Sequence, residues 1–265
     1  MQKVVALVLV GVFSNVVLAA KGTASRGGLG FLFSDGNGFA NPAHFGSSEG
    51  TASEINYAKT GGSTAQDVTV SAVHGNGRMG FGAYFERAGT DIATTDVLDI
   101  AGVGVGVSLL KDALNLGVGY GKSVSASQTN NGAYNVALTW VPKGKGISAG
   151  VGAVSTIGGS TTVQSATVSL GYVFSPAVAW EVAMLSSDWT TNGLINGNPA
   201  TYLKTEGGRF YGSFGYVYLR SASQHSVSTR LGMMMGQKVD LSLYGTAVAV
   251  TGGATSFGAT ARVVF

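Results

Sequence analysis

The chain has 265 residues with 42 glycines, four prolines and no cysteine; only 11% of residues are charged, and the formal net charge is +3. A disordered chain carries more charge and fewer aromatics, collagen shows a strict three-residue glycine period, and a nucleic-acid binder needs a clustered Lys/Arg stripe. The chain has none of these features, and nucleic acid is excluded as an expected partner.

In chain order the first element is a leader. Lys3 opens it, Val4 to Phe13 form an apolar core, and Val17-Leu18-Ala19-Ala20 supply small residues for cleavage, the pattern of a secretory signal peptide over residues 1–20. Ser14-Asn15 interrupt the apolar run too early for an anchor helix. Residues 21–50 do not alternate. They carry Phe31-Leu32-Phe33 and then the loop-like SDGNGFANPAHFG, and they are expected to form a short N-terminal plug or hatch ahead of the remaining domain, residues 51–265.

From residue 51 the chain repeats roughly ten residues of alternating polarity followed by a turn. Met79, Phe81, Ala83 and Phe85 alternate with Gly80, Gly82, Tyr84 and Glu86; Val103, Val105, Val107 and Leu109 alternate with Gly102, Gly104, Gly106 and Ser108. The same period recurs at Leu114–Gly121, Ala133–Trp140 and Ser165–Phe174. A period of two puts each set on one face of a sheet. A soluble sandwich would make its second set charged, whereas here that set is mostly Gly, Ala, Ser and Thr. Mean hydropathy is +0.28, yet no internal run reaches the about 20 apolar residues of a membrane helix. The pattern suits an all-β, transmembrane antiparallel β-barrel, lipid outside and small residues inside, closed so that no strand edge is left unpaired.

Thirteen segments are legible, near 51–59, 66–75, 78–87, 96–110, 113–124, 132–141, 147–157, 161–174, 177–189, 208–220, 224–235, 238–250 and 256–265. Lys111-Asp112, Pro142-Lys143-Gly144, Ser175-Pro176 and Gln237-Lys238 read as tight periplasmic turns, with Trp140, Phe174 and Trp180 flanking them as an interfacial girdle. Single-chain barrels have even counts. The turns agree from both ends only if one more strand lies between Trp189 and Arg209, and Ala200 to Thr205 is the best segment for it. The count is fourteen, with twelve as the alternative.

The chain ends on FGATARVVF, with Phe257, Ala259, Ala261, Val263 and Phe265 on one face. This resembles the C-terminal signal of bacterial outer-membrane barrels, whose last strand commonly ends on an aromatic residue. The resemblance implies a bacterial outer-membrane location, recognition by the barrel-assembly machinery through Phe257, Val263 and Phe265, and outer-membrane lipids as surroundings. A second resemblance rests on Asn41-Pro42-Ala43, followed by His44. It looks like the NPA element of FadL-type long-chain fatty-acid channels, and it implies a fourteen-stranded barrel, an N-terminal hatch folded inside, and passage or binding of hydrophobic small molecules. FadL-type proteins are much longer, with large extracellular loops. Here about 215 residues serve fourteen strands, so strands of about ten residues leave only short connections.

No catalytic constellation emerges, and an enzyme is not expected. His44 follows the NPA element, His74 ends a strand and His225 falls in the QHSVS turn. His225 with Ser226 or Ser228 lacks the His-x-Ser spacing of outer-membrane phospholipases, and no third group orients a base. No cluster has metal-ligand spacing, DGNG at 35–38 has too few carboxylates for calcium, and no cofactor is implied. By strand phase Glu86, Glu181, Arg230 and Arg262 point into the barrel, either as an ion-selective constriction or paired with one another or with the N-terminal segment. Ala149, Ala153, Gly245, Ala247 and Ala249 are small residues on the lipid-facing set and would let barrels approach closely in a homo-oligomer. Two functions remain: a FadL-like passage for hydrophobic small molecules, or a non-transport structural protein whose oligomeric ring traps or organises lipid.

Overall fold

The computed structural model describes residues 31–33, 41–61, 66–89, 97–110, 113–124, 132–142, 144–158, 161–236, 238–249 and 255–265. Fourteen strands follow one another: β1 Glu49–Gly61, β2 Gln66–Asn76, β3 Met79–Gly89, β4 Val97–Leu109, β5 Leu114–Ser123, β6 Gly132–Trp140 and β7 Gly146–Gly158. The second half comprises β8 Thr161–Ser175, β9 Val178–Ser186, β10 Asn198–Gly207, β11 Phe210–Leu219, β12 Gln224–Met235, β13 Val239–Val248 and β14 Thr255–Val264. Each strand pairs antiparallel with the next, and β14 returns to β1 through the register Ala52↔Val264 to Gly61↔Thr255, closing the barrel. The Phe265 N–H donates to the Thr51 carbonyl at 2.9 Å, extending this seam to the last residue.

The strand inferred between Trp189 and Arg209 is β10, so both ends of the strand series lie at one end of the barrel, as an even count requires. Three boundaries differ from the alternation pattern. The barrel begins at Glu49, two residues before the pattern becomes regular. β9 stops at Ser186, because Asp188 caps a short helix, α1 (Trp189–Asn192), by accepting from the Thr191 N–H at 3.3 Å. The stretch 190–207 is therefore a short connection followed by a strand, not one long loop. The signal-peptide reading of residues 1–20, DGNG at 35–38 and the turn residues Lys111, Asp112, Lys143 and Gln237 lie outside the described residues.

Alternation sorts the two faces. Phe81, Phe85, Val103, Val105, Leu170, Leu231, Leu243 and Phe257 are exposed on the outer face. Their neighbours Gly82, Glu86, Gly104, Ser169, Arg230 and Gly258 are buried on the inner one. Tyr57, Tyr120, Tyr134, Tyr216 and Tyr218 lie outward toward the end opposite the β1–β14 seam's Phe265. Trp140, Phe174, Trp180, Phe210 and Phe265 lie outward toward the Phe265 end, so each rim of the apolar belt carries its own aromatic band. Among the described residues no helix is long and apolar enough to cross a membrane, which says nothing against crossing by strands.

Candidate functional site in the barrel interior

Glycine on the inner face creates a floor that other chain can approach. A Cβ on Gly82 or Gly104 would run into the Phe45 ring, one on Gly106 or Gly117 into the Pro42 backbone, and one on Gly46 into the backbone of Val107. The 3-10 helix Pro42–Ser47 therefore rests on the bare backbone of β3, β4 and β5, starting at a proline pre-set for a helical first turn. Phe45 is 1% exposed, and burying a ring of this size contributes about 2–3 kcal/mol.

Residues 31–33 occupy the next part of the wall. A Cβ on Gly150 or Gly152 would meet the Phe31 ring and one on Gly171 the Phe33 ring. Leu32 and Phe33 form a buried cluster with Val141, Val173 and Ala179. Two sets of polar contacts fix this strap, residues 31–33 with 41–48. Asn41 Nδ2 donates to the Phe31 carbonyl oxygen at 2.7 Å, and His44 Nε2 lies 3.1 Å from the same oxygen. The Phe31 and Leu32 N–H groups donate to Glu181 Oε1 and Oε2 at 2.9 and 3.0 Å. Glu181 is 0% exposed; its carboxylate is tolerated there because backbone donors replace its water. Asn41, Pro42, Ala43 and His44 thus sit inside the barrel, against its wall.

The remaining wall carries charge. Arg230 donates from Nε and Nη2 to Ser242 Oγ at 3.0 and 2.8 Å. Arg262 faces Glu54 on one side and Asp240 on the other in the strand register. The Tyr211 hydroxyl donates to Asp240. Asn56 Oδ1 accepts from Tyr244 and from Thr260, both at 3.1 Å, tying β13, β14 and β1 together. Lys204 Nζ lies 3.5 Å from Glu206 Oε2. Glu86, Glu181, Arg230 and Arg262 are all buried on the inner phase. Strand phase adds Glu54, Asp67, Lys204, Glu206 and Asp240, which sequence reasoning missed. The signal was present: Ala52, Glu54, Asn56 and Ala58 alternate with Ile55 and Tyr57, and Asp240 sits beside Leu241. Those strands needed the phase reading applied to β3 and β4.

The histidines do not converge. His44 belongs to the strap. His74 Nδ1 lies 2.8 Å from Thr51 Oγ1 on the outer face, beside Phe81. His225 is not in a turn as its sequence context suggested; it is the second residue of β12, because the hairpin reverses earlier, at Arg220–Ser223. Its Nδ1 lies 2.6 Å from the Tyr216 hydroxyl and its ring is against Tyr218. Among the described residues no three His, Cys, Asp or Glu side chains form a metal-binding group. Phe257, Val263 and Phe265 face outward on β14 and at its end, and Ala149, Ala153, Gly245, Ala247 and Ala249 are on the outward phase of β7 and β13.

The architecture is a closed fourteen-stranded antiparallel barrel with a polar, charged interior and an apolar exterior. Among solved structures it is similar to the porin from Rhodopseudomonas blastica, known in several mutant forms. A triple mutant of that porin matches at TM-score 0.50 and 12% identity, over 81% of this chain and 98% of its own. A more heavily substituted form of the same porin matches with the same score, identity and coverage. No protein-family model and no curated protein matches the sequence. The likeness carries the fold, and it gives no support to the FadL-type resemblance drawn from Asn41-Pro42-Ala43.

Proposed function

We propose that this chain is a bacterial outer-membrane channel for small polar solutes, held closed by its N-terminal strap. The observation that carries the reading is the division of the two faces. A continuous apolar belt between two aromatic bands fits lipid, while the inner wall of hydroxyls, amides and charges fits an aqueous path. The hydrophobic passage expected from the FadL-type resemblance finds no counterpart in that inner wall. Its apolar part, Leu32, Phe33, Val141, Val173 and Ala179, is already filled by the strap.

The inner charges favour cations. Glu54, Asp67, Glu86, Glu181, Glu206 and Asp240 stand against Lys204, Arg230 and Arg262, six acids to three bases among the described residues. Reconstitution into planar bilayers tests the reading: the full mature chain should conduct weakly, and a chain lacking residues 21–48 should conduct several-fold more, with cations preferred over anions. An unchanged, non-conducting barrel after that deletion would end the channel reading.

Oligomerisation is the second part of the proposal. The outward small residues of β7 and β13 let a neighbouring barrel approach, and closed rings are the usual solution. Native mass in mild detergent reads it out. A closed oligomer carrying many phospholipids would favour the structural, lipid-organising alternative.

A further inference from the structure

The wall beneath the strap is built for water, yet it is covered by apolar side chains. Asn115 on β5 faces Thr139 on β6, and Thr139 faces Gly150 on β7; Ser148 faces Gly171 on β8. Gly150 and Gly171 are where Leu32 and Phe33 rest, and Pro42 rests on Gly117, two residues from Asn115 along β5. Asn115, Thr139 and Ser148 are buried. Asn115 Oδ1, Thr139 Oγ1 and Ser148 Oγ have no protein hydrogen-bond partner and no accessible surface through which water could reach them. A buried polar atom left without a partner destabilises the state that buries it.

We infer that the strap is a releasable gate, poised between the Glu181 carboxylate that holds it and the unsatisfied Asn115–Thr139–Ser148 track that its departure would hydrate. The two sets of groups act with opposite sign. Glu181 gains charge-assisted bonds from the Phe31 and Leu32 N–H groups only when the strap is seated. The track gains hydrogen bonds only when it is unseated. The seated form also keeps Phe31, Leu32 and Phe33 out of water, which opposes release. A two-state element whose ends are biased by separate groups is the physical requirement for a gate. The inference rests on the channel reading for its consequence, and on this geometry for its existence.

The test uses the full mature chain in lipid and two variants. Glu181→Gln removes the charge of the latch and keeps its shape. Thr139→Val with Ser148→Ala removes two unsatisfied hydroxyls at nearly constant volume. Amide hydrogen exchange at Phe31, Leu32 and Phe33 reports the unseated fraction directly, whether or not the barrel conducts. Glu181→Gln should speed exchange at these three amides about tenfold or more, the ratio expected for loss of a charge-assisted pair. The double variant should slow it about tenfold, the ratio expected when buried unpaired hydroxyls are removed, with exchange in β1–β14 unchanged in both. A shift of the same sign in both variants, or none in either, overturns the gate. Single-channel recording of the same variants separates the two readings. Increased conductance in Glu181→Gln and decreased conductance in the double variant support both. Opposed exchange shifts with a barrel that never conducts, even without its strap, would keep the moving strap and remove the channel.

Discussion

Gly117 on β5 lies so close to Pro42 that no Cβ fits between them. This contact sets the depth of the 3-10 helix in the barrel, because the helix settles onto backbone instead of side chains. Gly117→Val should evict residues 42–47 while the strands still close, at a packing cost of about 1–3 kcal/mol for the seated strap. Limited proteolysis between residues 34 and 48, with heat-modifiable mobility of the barrel as control, checks it. Unchanged cleavage would mean the helix has another way to seat.

Asn41 joins the two parts of the strap by donating to the Phe31 carbonyl. Asn41→Ala removes that bond and leaves His44 as the remaining partner of the same oxygen. A loss of about 1 kcal/mol is expected, read as faster exchange at Phe31 to Phe33 with the midpoint of barrel unfolding unmoved.

Asn56 closes the barrel chemically as β14 closes it topologically, accepting from both Tyr244 and Thr260 through one carbonyl oxygen. Asn56→Ala strands two buried donors, at about 1–3 kcal/mol each. The urea midpoint for unfolding from lipid vesicles should fall clearly, and Tyr244→Phe combined with Thr260→Val should recover part of the loss, because the stranded donors are then gone.

Phe265 is 73% exposed and outward, while its backbone N–H completes the seam with Thr51. Phe265→Glu leaves that bond intact and changes only the side chain. The proposal that the side chain serves as an assembly signal predicts several-fold less heat-modifiable barrel in outer-membrane fractions and near-normal refolding into vesicles in vitro. Equal loss in both assays would make the residue structural.

Asp188 lies beyond β9, in the connection at the barrel end away from Phe265. Hydrogen bonds from the Thr190 and Thr191 side chains, the largest effect first, hold its carboxyl below the ordinary value. A depressed value means the cap stabilises α1 above the unfolded carboxylate range of about 4 and is lost as pH falls through the lower, folded value. NMR titration should place the Asp188 midpoint below that of an unstructured aspartate. Asp188→Asn should abolish the acid-induced change at Trp189 to Asn192.

Much of the barrel was legible because its information is local. Glycines at 102, 104 and 106 between valines at 103, 105 and 107 state a strand, its phase and its lipid-facing side within six residues, whatever lies around them. The parity of the turns places β10 without any knowledge of its partners. The same locality misled at His225, where a polar QHSVS stretch read as a turn although it pairs with β11 from Gln224 onward.

The strap could not be read that way. Phe31 and Glu181 meet across 150 residues of sequence, and no period links them. The glycine floor on β3, β4 and β5 signalled that something packs there, but not what, since a glycine records room without recording its occupant. By itself the sequence determined a fourteen-stranded closed sheet and the direction each side chain faces, because a period of two is a property of one strand. Only the tertiary structure decided which inner residues are covered, which carboxylate receives the strap amides and which hydroxyls are left unpaired. Those depend on how barrel closure brings distant strands around a segment that has no period of its own.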